Sequence, residues 1–309
     1  MQKIGSYRYK EKFKRCPACR SSKIKWAFTS PKGMTCVKGF QVDECLNCRL
    51  FFVNPQPDKN SLMKFYKALD NDMTIDLRQC FNSYYRKKIH GDLILPLKKY
   101  LTKGKILDCG CGFGLFVKLL RNEGFESYGI DLSPKAIASG KKKLKLKNAL
   151  SCSDLAHYDN QSKFDCISAV AVLEHLENPD EFIQKAASML KPKGYLMLRY
   201  PASDSLQFQY LKSYFNWTQT PYHLFYFSMQ SIIALLKKNG FKIVGTHKVL
   251  NSWHWTRSIA NSLGMLPDYS KWRQDKRFVR WTIALDKCFD QIAYDCDKPS
   301  VIHVYAQKQ

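Results

Sequence analysis

The sequence predicts an α/β fold in which parallel βαβ units form a sheet with helices on both faces. From about residue 104, strand-like apolar runs alternate with amphipathic, helix-like segments, which is the order that parallel βαβ units produce. A glycine-rich loop follows the first of these strands. The 309 residues, 45% of them apolar, suffice to bury one large core or two smaller ones.

The chain divides into three predicted domains. Residues 1–58 form a small basic segment with two cysteine pairs, and the prolines of "NPQPD" mark its end as a turn or linker. Residues 59–103 have apolar side chains at helical spacing, which predicts a helical linker or lid. Residues 104–309 form the α/β domain, in which 251–299 is a tryptophan-rich helical insert before the last strand.

Within the α/β domain each element follows from local periodicity and from flanking glycine, proline and polar residues. The predicted strands are 105–109, 126–130, 164–170, 194–199, 241–249 and 300–307. The predicted helices are 114–123, 134–145, 179–190 and 228–239.

The charge balance points to anionic partners. Lysine and arginine total 50 against 26 acidic residues, which gives a net charge of +24. Such an excess favours nucleic acid, a phosphorylated substrate or an acidic membrane surface, and a solvated lysine-rich surface is the alternative. We find no secretory signal and no apolar run near the ~20 residues of a membrane helix. We therefore expect a cytoplasmic protein with reduced thiols, and peripheral membrane contact stays open.

The N-terminal cysteines have the spacing of a metal site. "CPAC" supplies Cys16 and Cys19, and "CLNC" supplies Cys45 and Cys48. Two such pairs offer four thiolates to a tetrahedral zinc ion, whereas a redox dithiol would need only one pair. A closed four-thiolate site has no position for substrate, so we expect a structural zinc without a catalytic role.

The stretch "KILDCGCGFG" contains a strand, Asp108 and then three alternating glycines, Gly110, Gly112 and Gly114. Glycines let the backbone approach a ligand closely, and the following helix adds unpaired N–H groups. A tight turn without a ligand is the alternative. Cys109 and Cys111 are interpreted as small residues in a crowded turn, because a metal there would block a ligand.

Polar residues also stand at or just after the ends of three later strands. Asp131 ends the second strand in "YGIDLSP", about 20 residues past the loop, where a carboxylate accepts the ribose hydroxyls of an adenosyl ligand. Capping the next helix is its alternative role, although Ser133 before Pro134 suits that position better. "SCSDLAHYD" places Asp154 after a third short strand, and "FDCISAVAVLEHLENP" contains a fourth strand followed by Glu174 and His175.

These four elements, in this order, resemble the class I S-adenosylmethionine-dependent methyltransferases over about residues 104–250 and again in the final strand. The resemblance implies a Rossmann-like sheet, S-adenosylmethionine as cofactor and a transferase activity. It implies that Asp154 meets the adenine amino group, and capping the next short helix is the alternative. The cofactor-binding residues are then Asp108, Gly110, Gly112, Gly114, Asp131, Leu132, Asp154 and Leu155.

The N-terminal segment adds a second resemblance. The cysteine pairs with "CRLFFVNPQPD" and the later "FY" are similar to zinc-ribbon methyltransferases that modify sugars and related small molecules, nucleotide-sugar C-methyltransferases among them. This similarity implies a small acceptor that is phosphorylated or lipid-linked. The sequence does not indicate an oligomeric state.

Methyl transfer to a hydroxyl requires a positioned base, and histidine is suited to neutral pH. His175 in "LEHL" lies just past the fourth strand, and by resemblance Glu174 and His175 face the acceptor. We predict His175 as base with Glu174 orienting it, and a purely structural pair is the alternative. His223 in "TPYHLFYFS" is the second candidate, because it follows a segment rich in tyrosine and phenylalanine where an acceptor pocket is expected. Core packing of these aromatic residues is the alternative. Ubiquinone-type O-methyltransferases are similar here, but Ala171 stands where their additional metal-binding glutamate is expected.

Three function classes follow. A small-molecule methyltransferase comes first. An RNA methyltransferase is suggested by the charge and the zinc ribbon, although no "NPPY"-like motif is present. A catalytically inactive binding module is the third, and the intact glycine loop with Asp131 argues against it.

The insert contains an amphipathic helix. Its apolar positions recur at intervals of three and four: Phe278, Trp281, Leu285, Phe289 and Ile292. Basic residues cluster at its start: Lys271, Arg273, Lys276, Arg277 and Arg280. The pattern is typical of an interfacial helix, and a lid helix packed over the acceptor pocket is the alternative.

Overall fold

The computed structural model describes residues 7–31, 37–72, 83–158, 163–249, 255–265, 271–272 and 274–309. It divides the chain into two units. The sheet unit comprises Ile75–Tyr200, Leu236–His247 and His303–Gln309. The cysteine unit comprises Met1–Thr74, Pro201–Leu235 and Lys248–Ile302. The predicted boundaries at 58 and 103 divide the chain along its sequence, whereas these units divide it by contacts in space.

The strands, in chain order, are β1 (Ile24–Thr29), β2 (Gln41–Cys45), β3 (Phe51–Val53), β4 (Lys105–Cys109), β5 (Glu126–Asp131), β6 (Leu150–Cys152), β7 (Phe164–Val170), β8 (Leu190–Pro201), β9 (Phe225–Tyr226), β10 (Phe241–Val249) and β11 (Val301–Lys308). The helices are α1 (Lys59–Asp72), α2 (Ser83–Ile89), α3 (Leu115–Asn122), α4 (Pro134–Lys143), α5 (Pro179–Met189), α6 (Leu206–Leu211), α7 (Met229–Lys238), α8 (Trp255–Ser262) and α9 (Lys276–Asp295). Helix α2 continues through a π-helical stretch, His90–Ile94, into a short turn, Leu95–Leu97.

The seven strands of the sheet unit lie in the order β10, β11, β8, β7, β4, β5, β6. Strand β4 is parallel to both β5 and β7, and the pairs β5–β6 and β7–β8 are also parallel. This sheet with its helices confirms the predicted Rossmann-like α/β class.

Strand β8 is longer than the predicted 194–199. Pro192 and Gly194 are typical of a turn, so the prediction started the strand too late. In the structure the chain bulges here: Phe164 pairs with Leu190 and Cys166 with Tyr195, so the register shifts between the two pairs. A bulge accommodates turn-forming residues without ending the strand.

Helix α3 is buried on two sides, which fixes the position of its first residue. Leu115, Phe116, Leu119 and Leu120 pack in one core with residues such as Ile106. Val117 packs in a second core with Ile137 and Leu150. Because burial of each such side chain stabilises the fold by roughly 1.5–3 kcal/mol, the loop before α3 is held at a defined place.

The cysteine unit contains an antiparallel sheet in the order β1, β2, β3, β9. Its last strand comes from a distant part of the chain, since Phe51 pairs with Tyr226. The ring of Phe208 contacts those of Phe51, Phe215 and Tyr226, at centroid distances of 5.0, 5.7 and 6.0 Å. The hydroxyl of Ser228 donates to the carbonyl of Cys48 at 2.7 Å, which ties the second cysteine pair to the same segment.

The insert forms helices α8 and α9, and residues 251–254, 266–270 and Arg273 lie outside the described part. Trp255 donates from Nε1 to Asp290 Oδ1 at 3.1 Å, and the backbone N–H of Thr256 donates to Asp286 Oδ1 at 2.7 Å. The rings of Trp255 and Phe289 stack at 5.2 Å. None of the described helices combines the length and apolar character that crossing a bilayer requires.

Candidate active site and cysteine cluster

The sheet unit has a point where the strand order reverses. Strand β4 lies between β5 and β7. The chain therefore continues from β4 towards one edge of the sheet through β5, and towards the other edge through β7. In open parallel sheets, ligands bind in the crevice at the carboxyl ends of strands at such a point. The glycine loop after β4, Asp131 at the end of β5 and the turn after β7 all lie at this edge.

The three glycines of the loop all have positive φ angles, +71° at Gly110, +55° at Gly112 and +84° at Gly114. A Cβ atom on Gly110 would clash with Val172, and one on Gly114 would lie 2.9 Å from Leu150 Cδ1. A Cβ on Gly112 would meet no described atom within 4 Å. Packing therefore requires the outer two glycines, and the middle one leaves open space beside its backbone.

Two further glycines, which the sequence analysis did not assign, support this loop. A Cβ on Gly140 of α4 would clash with the carbonyl oxygen of Phe113, and one on Gly129 of β5 would lie 2.7 Å from Cys111 Sγ. The signal was present, because glycine inside a strand or helix pattern often marks a close backbone approach. The absence of a side chain at these two glycines thus lets the loop pack closely against β5 and α4.

Asp131 fastens the loop to the end of β5. Its Oδ2 accepts a hydrogen bond from the Gly112 N–H and its Oδ1 accepts one from the Ser133 N–H, both at 2.8 Å. Ser133 caps α4 by accepting from the Ala136 N–H at 3.2 Å. Each carboxylate oxygen has more than one acceptor site, so Asp131 retains the capacity to accept ligand hydroxyls. Leu132 beside it is exposed.

Asp108 lies buried beneath the loop and accepts a hydrogen bond from Ser168 Oγ at 2.7 Å. Burial raises the pKa of its carboxyl to about 7, and the negative charge of Asp131 adds to the shift. Asp108 is therefore partly protonated at neutral pH. Its neighbours Cys109 and Cys166 are buried, in line with a role as small apolar side chains.

Asp154 shapes the turn after β6. Its Oδ1 accepts from the backbone N–H of His157 at 2.8 Å and lies 2.7 Å from His157 Nδ1. His157 received no role from the sequence, yet it is the partner of Asp154. Leu155 is buried. The predicted contact of Asp154 with adenine stays a prediction.

The turn after β7 carries Glu174 and His175. It is a 3₁₀ turn in which the His175 N–H donates to the Val172 carbonyl at 3.0 Å, and Val172 is the residue that packs against Gly110. Glu174 is buried, and neither carboxylate oxygen has a hydrogen-bond partner among the described residues. A carboxylate oxygen of Glu174 lies within 4.8 Å of a ring nitrogen of His175.

The environment of Glu174 favours its neutral form. Burial raises the pKa of this carboxyl to about 8, although the positive charge of Arg199 opposes the shift. At neutral pH Glu174 is mainly a protonated acid, which can donate a hydrogen bond.

His223 lies in the cysteine unit. The residue is buried, and its backbone N–H donates to the Gln219 carbonyl at 2.8 Å. Its ring stacks on those of Trp217 and Tyr222, at centroid distances of 6.4 and 5.7 Å. The aromatic residues that marked this segment in the sequence thus pack around the histidine.

Comparison with known proteins identifies the family. The family model described as "Methyltransferase domain" matches residues 81–246, more than half of the chain. The chain belongs to the S-adenosylmethionine-dependent methyltransferase family. The match covers every described element from α2 to α7 and most of β10. It therefore includes the loop, Asp131, Asp154, Glu174 and His175 of this methyltransferase.

Curated relatives match this methyltransferase over part of their length. It is 33% identical over 97 residues to the ubiquinone biosynthesis O-methyltransferase of Bradyrhizobium diazoefficiens, covering 30% of this chain and 38% of that protein. It is 32% identical over 137 residues to the enzyme of the same name from Pelagibacter ubique, covering 43% and 55%. The match thus spans no more than 55% of either relative.

A solved structure shares the fold of this methyltransferase. The N-methyltransferase NodS from Bradyrhizobium japonicum WM9, in complex with S-adenosyl-L-homocysteine, aligns with a TM-score of 0.50 at 16% identity. The alignment covers 79% of this chain and 97% of NodS. At this identity the likeness concerns the fold alone.

The four predicted zinc ligands of the methyltransferase come together in the cysteine unit. Cys16 Sγ lies 3.5 Å from Cys48 Sγ, Cys19 Sγ lies 3.6 Å from Cys45 Sγ, and all four sulfurs are within 4.8 Å of one another. None of them forms a disulfide. Four sulfurs at about 2.3 Å from a tetrahedral zinc ion lie about 3.8 Å apart, so these distances fit the ion.

Both cysteine pairs have the same backbone turn. The backbone N–H of Cys16 donates to the Ser21 carbonyl, and the Cys16 carbonyl accepts from the Arg20 N–H. In the same way, the N–H of Cys45 donates to the Leu50 carbonyl, and the Cys45 carbonyl accepts from the Arg49 N–H. Arg20 and Arg49, each one residue past the second cysteine of its pair, have positive φ angles of 63° and 59°. Each turn points its two sulfurs to the same place. The contact between the two thiols lowers the pKa of Cys16 and raises the pKa of Cys48, so it favours one thiolate in this pair.

Proposed function

We propose that this chain transfers the methyl group of S-adenosylmethionine to a small acceptor that is anionic or carrier-linked, such as a sugar. One observation carries the proposal: Asp131 holds the glycine loop at the reversal point of the sheet, beside the turn that contains Glu174 and His175. The predicted cofactor loop and the two residues proposed as base and acid therefore belong to the same unit.

The residues at this edge fit the cofactor. The open side of Gly112 permits close approach of the cofactor, and Asp131 can accept from both ribose hydroxyls. Leu132 is exposed and can cover an adenine ring. Asp154 and Leu155 lie at the neighbouring turn. When bound, S-adenosylmethionine supplies an electrophilic methyl group, so the chain needs only to align the acceptor and remove its proton.

His175 is the proposed base. Its ring is half-buried, and it takes the proton of the acceptor hydroxyl at a ring nitrogen. A carboxylate oxygen of Glu174 lies within 4.8 Å of a ring nitrogen of His175 but has no hydrogen-bond partner among the described residues. In the proposed reaction, protonated Glu174 donates a hydrogen bond to that ring or to the acceptor once the acceptor is bound. The names of the curated relatives, O-methyltransferases, support a hydroxyl acceptor. His223 is the second candidate base.

We also propose that the cysteine cluster binds a structural zinc ion. The sulfur distances, the burial of Cys16, Cys45 and Cys48, and the paired turns support this proposal. The contribution of the metal would be to folding, because four protein thiolates complete its tetrahedral shell.

A His175→Ala variant tests the base. We expect turnover to fall by roughly 10²–10⁴, the usual share of general-base catalysis, while S-adenosylmethionine affinity changes little. Turnover is measured as labelled methyl transfer into fractionated cell extract, and affinity by calorimetry. His90→Ala is the matched control. His90 Nε2 lies 2.9 Å from Glu123 Oε1, and neither residue belongs to the glycine loop. Full turnover in His175→Ala would make His223 the next candidate.

The fraction that takes up label tests the acceptor class. Label in small metabolites or lipid-linked sugars supports the proposal. Label confined to ribosomal or transfer RNA would replace it with RNA methylation, which the charge of +24 also permits. A chain that binds no S-adenosylmethionine would be an inactive binding module.

A further inference from the structure

Helix α9 of the cysteine unit is fastened by polar contacts. The buried positions of this 20-residue helix are Thr282, Asp286, Asp290 and Ala293. Asp286 and Asp290 accept the hydrogen bonds from Thr256 and Trp255 of α8 that hold the two helices together. Two apolar residues of α9 also pack on α8: Phe289 stacks on Trp255, and Phe278 packs against Ala260. Trp281, Leu285 and Ile292 are not among the residues that make these contacts.

Three of the five apolar residues of α9 that the sequence placed on one face are exposed. Trp281 is 70% exposed, Leu285 41% and Ile292 51%. Their spacing of four and seven residues puts them on one line along the helix, together with exposed Cys288. We call the side chains of Trp281, Leu285 and Ile292 the apolar stripe. Large side chains in a continuous exposed row mark an interaction site, whereas single ones need no explanation.

Basic side chains border the apolar stripe. Lys276, Arg277, Arg280 and Lys287 are all exposed, and at 100° per residue they project to one side of it. Before the helix, Trp272 is 38% exposed and its ring contacts Phe278 at 5.2 Å. The helix therefore has a polar buried face, an apolar exposed stripe and a basic flank.

We propose that α9 is an interfacial helix that docks this chain on an anionic lipid surface. An amphipathic helix with tryptophan on its apolar face and lysine and arginine beside it lies in the plane of a membrane, with the apolar side chains at the acyl boundary. The tryptophan ring suits this boundary, and the basic flank complements anionic headgroups. A net charge of +24 adds long-range attraction. This docking does not depend on which acceptor the chain methylates.

Vesicle co-sedimentation at low salt tests the apolar stripe. The full chain is mixed with vesicles of equal parts phosphatidylcholine and phosphatidylglycerol, or of phosphatidylcholine alone. We expect binding to the anionic vesicles only. Changing the stripe (Trp281→Ser, Leu285→Gln and Ile292→Gln) should lower the partition coefficient at least about tenfold. The matched control changes three exposed apolar residues elsewhere in the same unit (Trp26→Ser, Leu46→Gln and Tyr210→Ser) and should bind like wild type.

A charge pair tests the basic flank. Arg280→Glu with Lys287→Glu should abolish most binding, whereas Lys142→Glu with Lys143→Glu, exposed residues of the sheet unit, should have a smaller effect at the same net charge. Equal loss in both pairs, or in both apolar triples, would overturn the assignment to α9. So would a wild-type chain that stays in the supernatant. A wild-type dimer that the stripe changes convert to a monomer, without vesicle binding, would instead make the stripe an interface between copies of this chain.

Discussion

At the scale of single residues, Asp131 joins the glycine loop to the next strand, and its two oxygens contact two backbone N–H groups. Asp131→Ala should lower S-adenosylmethionine affinity at least about a hundredfold, because charge-assisted hydrogen bonds to the ribose are lost. Calorimetry measures the affinity, and the thermal midpoint shows whether the loop remains folded. Asp295→Ala, an exposed carboxylate of α9, controls for charge. An unchanged affinity would contradict the assignment.

Glu174 gives a prediction about pH. Its pKa in the folded chain is about 8, above the value of about 4.3 in an unfolded chain. The neutral form is favoured by folding, so the stabilising contribution is present below pH 4 and is lost as the pH rises towards 8. Glu174→Gln removes this loss of stability, because glutamine does not titrate. The free energy of unfolding of the variant should therefore exceed that of wild type by an amount that increases between pH 5 and pH 8. The difference should reach a few kcal/mol, about the free energy that corresponds to the pKa shift.

Denaturant titrations across this pH range measure the difference. Glu181→Gln, an exposed residue of α5, controls for the loss of one negative charge. A constant difference between Glu174→Gln and wild type at all pH values would show that the burial of Glu174 does not determine its titration.

At the scale of elements, the paired cysteine turns act as one unit. Cys16→Ser should release the zinc ion and reduce hydrogen-exchange protection in the cysteine unit, because metal binding contributes folding free energy. The sheet unit has its own cores and should keep its protection. Metal analysis and exchange mass spectrometry measure the two effects. Cys152→Ser, an exposed thiol of the sheet unit, should change neither, and wild-type protein that contains no zinc when purified without chelator would refute the site.

Local sequence was sufficient for most elements of the sheet unit. Strands β4, β7 and β10 have the predicted bounds, because their apolar runs are bordered by glycine or polar residues. The start of β8 was wrong since a bulge uses the same residues as a turn. The supporting glycines Gly129 and Gly140 were missed because their effect depends on which backbone approaches them in space.

Helix α9 shows a different limit of sequence reasoning. Its periodicity correctly predicted a helix, but not which face would be buried. Hydrophobicity alone suggests that Trp281 and Leu285 face inward, whereas Asp286 and Asp290 are buried by hydrogen bonds with α8. A buried carboxylate is favourable only when its partners are present, and those partners lie about 30 residues earlier in the chain.

At the scale of the whole molecule, the chain passes repeatedly between the two units. The strand pair β3–β9 illustrates why the sequence did not reveal this. Strand β9 has two residues, too few for a recognisable alternation, and its partner lies far away in the sequence. Net charge, in contrast, follows from composition alone, and it supports the proposals of an anionic acceptor and an anionic surface.

The bond between Ser228 and Cys48 spans 180 residues and has a consequence for biosynthesis. At ribosomal rates of about 5–20 residues per second, the second cysteine pair emerges roughly ten to forty seconds before the segment that covers it. During that interval β3 has an unpaired edge, which is prone to association with other chains. All four thiols have emerged once Cys48 has been synthesised. A zinc ion bound at that stage would close the first hairpin before β9 is synthesised.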